Sequence, residues 1–571
     1  RLSIIDLAGG AQPMASEDGQ VVISYNGEVY NYRELATELK ALGHRFRTSS
    51  DTEVLLVAYE AWGVDMLPRL NGQFAFAIWD GRKRSLLLVR DRFGVRPMFI
   101  AQSGGDCCFA SEVKALFASG RVQPRPNPEG LDEIFTFWGA RPPRTPFLGV
   151  EALEPGSYAI WKDGRLRKER YYHLDYPEAR HEPGDAIAQL DHLMRTGVDL
   201  RMRADVPVGG YLSGGLDSSI TCSLAAAASP HQLRTFSISF DDPRFDESEF
   251  QRQVARSVGS LHAVERISGH SIAEVFPDAV RHTETPLVRT APVPMYLLAK
   301  LTRERGIKVV LTGEGADELF LGYDLFKEVL VRRFCLRQPN SAWRPRLFDR
   351  LYPYLAEGSK GGEFWQRSFL DAGAPDDPLF SHMPRILLTS RIKEFYAPEF
   401  ASAASKGEPL QKLRDELPAR FHQWSPVNQA AYLEMVTLLS PYLLCSQGDR
   451  VGMAHAVEGR FPFLDHRLFE FASSLPVGSR LHGLKEKYIL KRWASTLIPR
   501  EVTERHKQPY RAPDAPSFFA PDAPAWVGEM LDPAAVKSLG YFHPQAVEGL
   551  VRRCRSGKSL GFRENQALVA V

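Results

Sequence analysis

The 571-residue chain has no long apolar run: the richest stretch, Ile220 to Ala228, is short and alanine-heavy. A bilayer needs about 20 consecutive apolar residues, so no membrane span is expected, and no signal-peptide pattern opens the sequence. Charge of one sign is also missing. The 71 Lys and Arg residues against 69 Asp and Glu leave a formal charge of +2, which excludes broad electrostatic binding to nucleic acid or anionic membrane. The 6 cysteines include the adjacent pair Cys107 and Cys108 but form no C-x-x-C or Cys/His metal spacing. A reduced, cytoplasmic compartment is the expectation. A Walker phosphate loop is absent too: the Gly-Lys-Ser at 557–559 has Arg552 where the first glycine belongs. The chain opens at Arg1 without methionine and stops within an amphipathic helical pattern, "RENQALVAV", as expected of a segment cut from a longer chain.

What is present is ordinary globular material, 44% hydrophobic and 25% charged, long enough for several domains. Residues 1 to about 170 carry short β-branched and aromatic runs such as "QVVISYNGEVYN" and "GSYAIWKDGRLRKERYYHL". In "WDGR" and "KDGR" an Asp-Gly pair stands between such runs, a hairpin signal. "YRELATELKALG" and "DTEVLLVAYEAWG" read as helices stopped at glycine. The predicted class here is α+β with antiparallel sheets, followed by a polar linker at 175–186. Beyond it, "VPVGGYL", "LRTFSISF", "HAVERIS" and "IKVVL" alternate with helical patterns, which predicts a parallel sheet wrapped in helices. From about 323 onward the pattern is mostly helical, with little strand signal.

The densest signal is "YLSGGLDSS", Tyr211 to Ser219, between a strand and a helix. Gly214 and Gly215 permit close backbone approach, and the helix N-terminus adds N–H donors that favour an anion. Ser213, Ser218 and Ser219 add hydroxyls. Asp217 would repel a bare phosphate, so its presence implies a bridging divalent cation, for which magnesium is the natural candidate. The bland alternative is a capped glycine turn. A second strand-loop, "TGEGADE" at 312–318, repeats the arrangement with Gly313, Gly315 and Asp317. Two such loops converge on a nucleotide-metal site.

"SGGLDSS", "TFSISF" and "LTGEGADE" resemble the PP-loop ATP pyrophosphatase domain of glutamine-hydrolysing asparagine synthetases. "EGRFPFLDHRLFEFA" at 458–472 and "KEKYILKRW" at 485–493 narrow the resemblance to this family and its close relatives. "RLSIIDLAGGAQPM", "NGEVYNYRELATEL", "SSDTEVLL" and "RDRFGVRP" resemble the family's class II glutaminase domain. The resemblance implies an Ntn-type glutaminase sandwich over 1–175 and a PP-loop synthetase domain, with a helical C-terminal portion, over 183–571. It implies condensation of ATP with a side-chain carboxylate, release of pyrophosphate, and attack of ammonia on the acyl-adenylate, turning aspartate into asparagine.

By the same resemblance Asp217 and Asp317 would hold Mg2+, and Ser213 to Ser219 would cup the pyrophosphate. Tyr211, Ile238, Thr312 and Gly313 would contact adenosine, although Tyr211 replaces the family's usual aliphatic residue. Lys487 would neutralise phosphate and carbonyl oxygens, although composition by itself reads it as a surface lysine. Glu284, in "HTETPL", would help deprotonate ammonia. The following "TPLVRTAPVPMY" departs from members that carry an aspartate there, which puts the acceptor in question. In the N-terminal half Asn26 and Gly27 match the oxyanion hole, and Arg1, Glu28 and Asp51 match the glutamine-binding groups. The family's nucleophile is an N-terminal cysteine, and none of the chain's cysteines can supply it. This chain as given is therefore expected not to hydrolyse glutamine.

The expected partners are small molecules (glutamine or ammonia, aspartate, ATP), with no nucleic acid and no membrane; a homodimer is compatible with the sequence. Two other readings compete: the same chemistry on a different carboxylate, and a non-catalytic binding module. Asp217, Asp317 and Lys487 all stand in place, which speaks against the latter.

Overall fold

In the first half, the pleat of the strands sends alternate apolar side chains to two buried faces. The computed structural model describes residues 2–177, 183–353, 362–556 and 560–571. Arg1, the middle of the linker and the tripeptide 557–559 lie outside the described residues. The strands of this half are β1 (Met14–Ala15), β2 (Val21–Val29), β3 (Gly72–Asp80), β4 (Ser85–Arg90), β5 (Phe99–Ser103), β6 (Asp106–Ala110), β7 (Glu151–Ala152), β8 (Ser157–Lys162) and β9 (Arg165–Arg170). They form two antiparallel sheets, ordered β1-β2-β3-β4-β8-β9 and β6-β5-β7. Phe74, Phe76 and Ile78 of β3, with Leu87 and Val89 of β4, pack under the helices Tyr32–Ala41 and Asp51–Trp62. Ala75 and Ala77 alternate to the opposite face and meet Met98, Ile100 and Leu153. Leu86 and Leu88 of β4 join the two alanines on that face, and each large apolar side chain buried on either face contributes about 1.5–3 kcal/mol.

The two Asp-Gly hairpins differ. Asp163 and Gly164 form a two-residue loop between β8 and β9, both at positive φ (51° and 74°), as the sequence signal predicts. Asp80 instead stays in β3, and the chain turns over Gly81 to Arg84 before β4.

The second half holds β10 (Val208–Tyr211), β11 (Arg234–Phe240), β12 (Leu261–Ile267), β13 (Val309–Leu311) and β14 (Glu458–Arg460). All neighbours in the order β12-β11-β10-β13-β14 are parallel. From β10 the chain winds outward to β11 and β12, and then returns to β13 on the other side. The switch point lies between β10 and β13, where ligands collect at strand carboxyl ends in such sheets. Past 323 the described chain is mostly helical, as the sequence predicts, with strand β14 as its short exception. "EGR" carries no apolar signal because its charges are buried as pairs: Arg460 Nε lies 2.9 Å from Glu458 Oε1, and Arg96 Nη2 lies 2.6 Å from Glu458 Oε2. The helices Asp324–Leu336, Pro426–Glu434 and His466–Ser474 share one large apolar core with the helix Leu216–Ala228, while Pro398–Ala404, Pro544–Arg555 and Phe562–Ala570 pack in a second cluster. No described helix is long and apolar enough to cross a membrane.

Candidate active site

The two glycine-acid loops leave the ends of β10 and β13, side by side at the switch point. Gly214 is at φ 78°, and a Cβ there would stand 2.8 Å from the backbone nitrogen of Gln251. Only glycine lets the loop pass so close to the neighbouring helix. Ser213 Oγ and Ser218 Oγ are 2.9 Å apart, and the Ser219 hydroxyl donates to the Gly215 carbonyl at 2.7 Å. The helix Leu216–Ala228 starts without a side-chain cap, so its first-turn N–H groups face the cradle. The second loop closes on the first: a Cβ on Gly313 would come within 2.9 Å of both Asp217 Cβ and Ser218 N.

Asp217 and Asp317 are brought together by a lysine. Lys487 Nζ lies 2.6 Å from Asp217 Oδ2 and 2.6 Å from Asp317 Oδ1, and its side chain is 2% exposed. The composition-based view of a surface lysine is thereby corrected: the residue sits at φ 52° where the chain enters the helix Tyr488–Ala494, and its side chain points inward. Two further residues of the site were not singled out in the sequence. Lys507 Nζ lies 2.7 Å from Asp317 Oδ2 and 3.8 Å from Asp217 Oδ2. Gly322 leaves room for the cluster, since a Cβ there would stand 2.0 Å from Asp317 Oδ1 and 2.2 Å from Lys487 Cε. Burial pushes the Asp317 carboxyl upward, but Lys487 and Lys507 outweigh it and hold the group well below the usual carboxylate range. Asp217 Oδ1 is buried without a hydrogen-bond partner among the described residues.

The remaining nucleotide-site candidates lie around this cluster. The Ile238 carbonyl accepts from Gln251 Nε2 at 2.8 Å, and Tyr211 packs on the same apolar cluster as Ile238 and Phe236. Burial pushes the Tyr211 phenol up. Thr312 N donates to the Arg460 carbonyl at 3.0 Å, and its hydroxyl donates to Glu314.

Glu284 stands elsewhere, at the seam between the halves. Its Oε2 accepts from Val113 N and its Oε1 from Lys114 N, both at 2.8 Å, while Arg450 Nη2 is 3.0 Å from Oε2. Lys114 Nζ also stands 3.5 Å from Oε1, so two cations and two backbone N–H groups surround the carboxylate. A small cavity here is lined by Arg90, Phe99, Val113, Glu284, Ser440 and Arg450.

In the first half, Asn26 and Gly27 lie within β2 rather than at a turn. Gly27 has φ 134°, and a Cβ there would stand 2.1 Å from the Gln73 carbonyl oxygen on β3. The Asn26 amide donates to Ser111 Oγ at 3.3 Å. Glu28 Oε2 faces Arg460 Nη2 of β14 at 3.8 Å. Asp51 Oδ2 accepts from Tyr25 OH at 2.9 Å and Val29 N at 3.2 Å, fastening its helix to β2. Asn26, Gly27, Glu28 and Asp51 are thus brought to one strand; Arg1 lies outside the described residues.

Comparison with known proteins fits this division. A glutamine amidotransferase domain model matches residues 1–172, and an asparagine synthase model matches 189–571. Asparagine synthetase [glutamine-hydrolyzing] 1 of Bacillus subtilis is 32% identical over 517 residues, covering 90% of this chain and 79% of its own. Amidase chyE of Penicillium rubens is 30% identical over 605 residues, covering 97% of this chain and 86% of its own. Amidase chry2 of Gibberella zeae is 28% identical over 606 residues, covering 96% and 85%. The chain belongs to the asparagine synthase family, with a glutamine amidotransferase domain preceding the synthetase domain.

Proposed function

We propose that the chain is the two-domain body, 1–175 and 183–571, of an asparagine synthase that amidates aspartate through an acyl-adenylate. ATP would be the activating substrate, glutamine the source of ammonia in the parent chain, and AMP, pyrophosphate and glutamate the by-products. The observation that carries the reading is the meeting of both glycine-acid loops and Lys487 at the switch point of the parallel sheet. The pyrophosphate leaves with dense negative charge, and an uncapped helix start, serine hydroxyls and a buried ammonium are suited to stabilise it.

The donor set fits a magnesium ion. It offers two buried carboxylates, and Asp217 Oδ1 lacks a partner. No group of three or more His, Cys, Asp or Glu residues forms a metal cluster among the described residues, so phosphates and water would complete the shell. When bound, the ion supplies charge neutralisation on the leaving pyrophosphate. Tyr211, Ile238, Thr312 and Gly313 would hold the adenosine. Lys487 would hold an α-phosphate or carbonyl oxygen in position, and Glu284 would take a proton from ammonia arriving through the cavity beside it. Asn26 and Gly27 would serve as oxyanion donors in the glutaminase, with Arg1, Glu28 and Asp51 holding glutamine.

A second reading keeps the chemistry and changes the acceptor. It is favoured by the nearly full-length match to amidases and by "TPLVRTAP", which has no aspartate after Glu284. Pyrophosphate release with ammonia and a panel of acids separates the two. Stimulation by aspartate supports the first reading; silence with aspartate and turnover of another carboxylic acid establish the second.

A further inference from the structure

We propose that the arginine-rich face formed by the end of the helix Asp324–Leu336 and the segment after it, centred on Trp343, is a docking surface for an acidic protein partner.

The chain as a whole is almost neutral, at +2, but this stretch is not. Residues 330–350 hold six arginines, no lysine, and Asp349 as the single acid. Arg332 turns inward and is buried 3.6 Å from Glu328. Arg333, Arg337, Arg344, Arg346 and Arg350 pair with no carboxylate among the described residues, and Arg337, Arg346 and Arg350 are exposed. Packing explains why they face water. Phe348 is fully buried and, with Leu347, sits on Val331 and Cys335 of the helix, so the short 3-10 helix Arg344–Arg350 has its basic side chains left outside.

Trp343 stands at the join with 59% of its surface exposed, and Leu330, one turn before Phe334 on the helix, is 36% exposed. The indole meets the Phe334 ring edge-on at 5.8 Å, and the Arg344 guanidinium lies 4.1 Å over Phe334. Arg344 Nη1 donates to the Phe334 carbonyl at 2.7 Å, which locks the stack. A surface fixed before a partner arrives loses little freedom on binding.

The residue types select the partner. Lipid and nucleic-acid phosphates attract lysine and arginine alike. A face with arginine and no lysine, around one exposed tryptophan, has the composition of the energetic centre of a protein interface. The planar guanidinium fork grips a carboxylate with two N–H groups, and five cations without counter-charges are complementary to an acidic face. The helix begins two residues after Gly322 and has 13 residues, so its far end is about 20 Å from the glycine-acid cluster. A partner docked there sits near the site and leaves it uncovered.

The probe is fluorescein-labelled poly(Glu,Tyr), an acidic polypeptide with aromatic side chains, followed by anisotropy on the full chain. Poly(U) and vesicles of phosphatidylglycerol serve as the phosphate-bearing rivals at the same ionic strength. Wild type is expected to bind poly(Glu,Tyr) most tightly, with affinity falling as salt rises. R337E/R346E/R350E is expected to lose about tenfold or more, and W343A about tenfold, the scale of an aromatic hot spot. R337K/R346K/R350K keeps the charge, loses the fork, and is expected to bind about threefold more weakly. Circular dichroism and thermal midpoints equal to wild type are expected for all three variants. No binding of poly(Glu,Tyr), or full binding by the lysine or the W343A variant, overturns the proposal. Tighter binding of poly(U) or of the vesicles also overturns it, and assigns the face to nucleic acid or to a membrane.

Discussion

The Glu284 carboxylate accepts the backbone N–H groups of Val113 and Lys114, so a synthetase side chain caps a helix of the amidotransferase half. Glu284→Gln would turn one acceptor into a donor facing an N–H group and remove the charge opposite Arg450. If Glu284 also takes the proton from ammonia, amide formation falls by about 100-fold or more in this variant. Acid-dependent pyrophosphate release is expected to persist, because the adenylation cluster lies elsewhere. Parallel assays of pyrophosphate and amide product test this; equal losses in both would remove the nitrogen-transfer role.

Asp217→Asn keeps the shape of the side chain and removes its charge between the loops. Magnesium-dependent pyrophosphate release is expected to fall by about 100-fold or more, the scale of losing an electrostatic stabiliser in a dry site. Undiminished ATP consumption in this variant would show that Asp217 does not hold the cation.

Gly322→Ala tests a residue that touches the cluster through empty space. Its Cβ would stand 2.0 Å from Asp317 Oδ1 and 2.2 Å from Lys487 Cε, so both must shift. A displacement of about 1 Å at reacting groups costs about 100-fold in rate. Circular dichroism close to that of wild type with strongly reduced pyrophosphate release is the expected pair of results; wild-type turnover would mean the cluster yields without consequence.

Glu328 supplies a pH dependence of stability. Burial pushes its carboxyl up from 4.5 to about 7, against the opposing pull of Arg332 and a hydrogen bond from Tyr352. Its pKa is raised, so the folded chain retains a proton that the unfolded chain releases. That contribution is complete below pH about 4.5 and is lost as pH rises through about 7. Glu328→Gln, which imitates the protonated form, should flatten this part of the profile. Thermal unfolding midpoints of both proteins across that range give the answer; parallel profiles would mean Glu328 carries no such proton.

The legibility of the chain follows from how local each feature is. The Asp163-Gly164 hairpin is set by neighbours in sequence and appears as predicted, and the alternation of β3 is likewise a local pattern. Strand β14 is invisible because its three residues are stabilised by Arg96 and Glu28, hundreds of positions away. Lys487 has the composition of a surface helix, yet its partners Asp217 and Asp317 pull it inward. Lys507 and Gly322 carry no motif at all. One pairs with Asp317 from 190 positions away, the other acts through the volume it does not fill.

The sequence by itself determined the two antiparallel and parallel halves, the family, and the glycine-acid loops with their carboxylates. These rest on backbone conformation and short-range pattern, which neighbouring residues dictate. Only the tertiary structure decided which groups share a site. It set Asp217 and Asp317 around one buried lysine, placed Glu284 at the seam between the halves, and drew Lys507 to the mouth of the cradle. Those choices depend on which strands lie adjacent at the switch point and on which buried charges must find partners, and neither is recorded in any short stretch of chain.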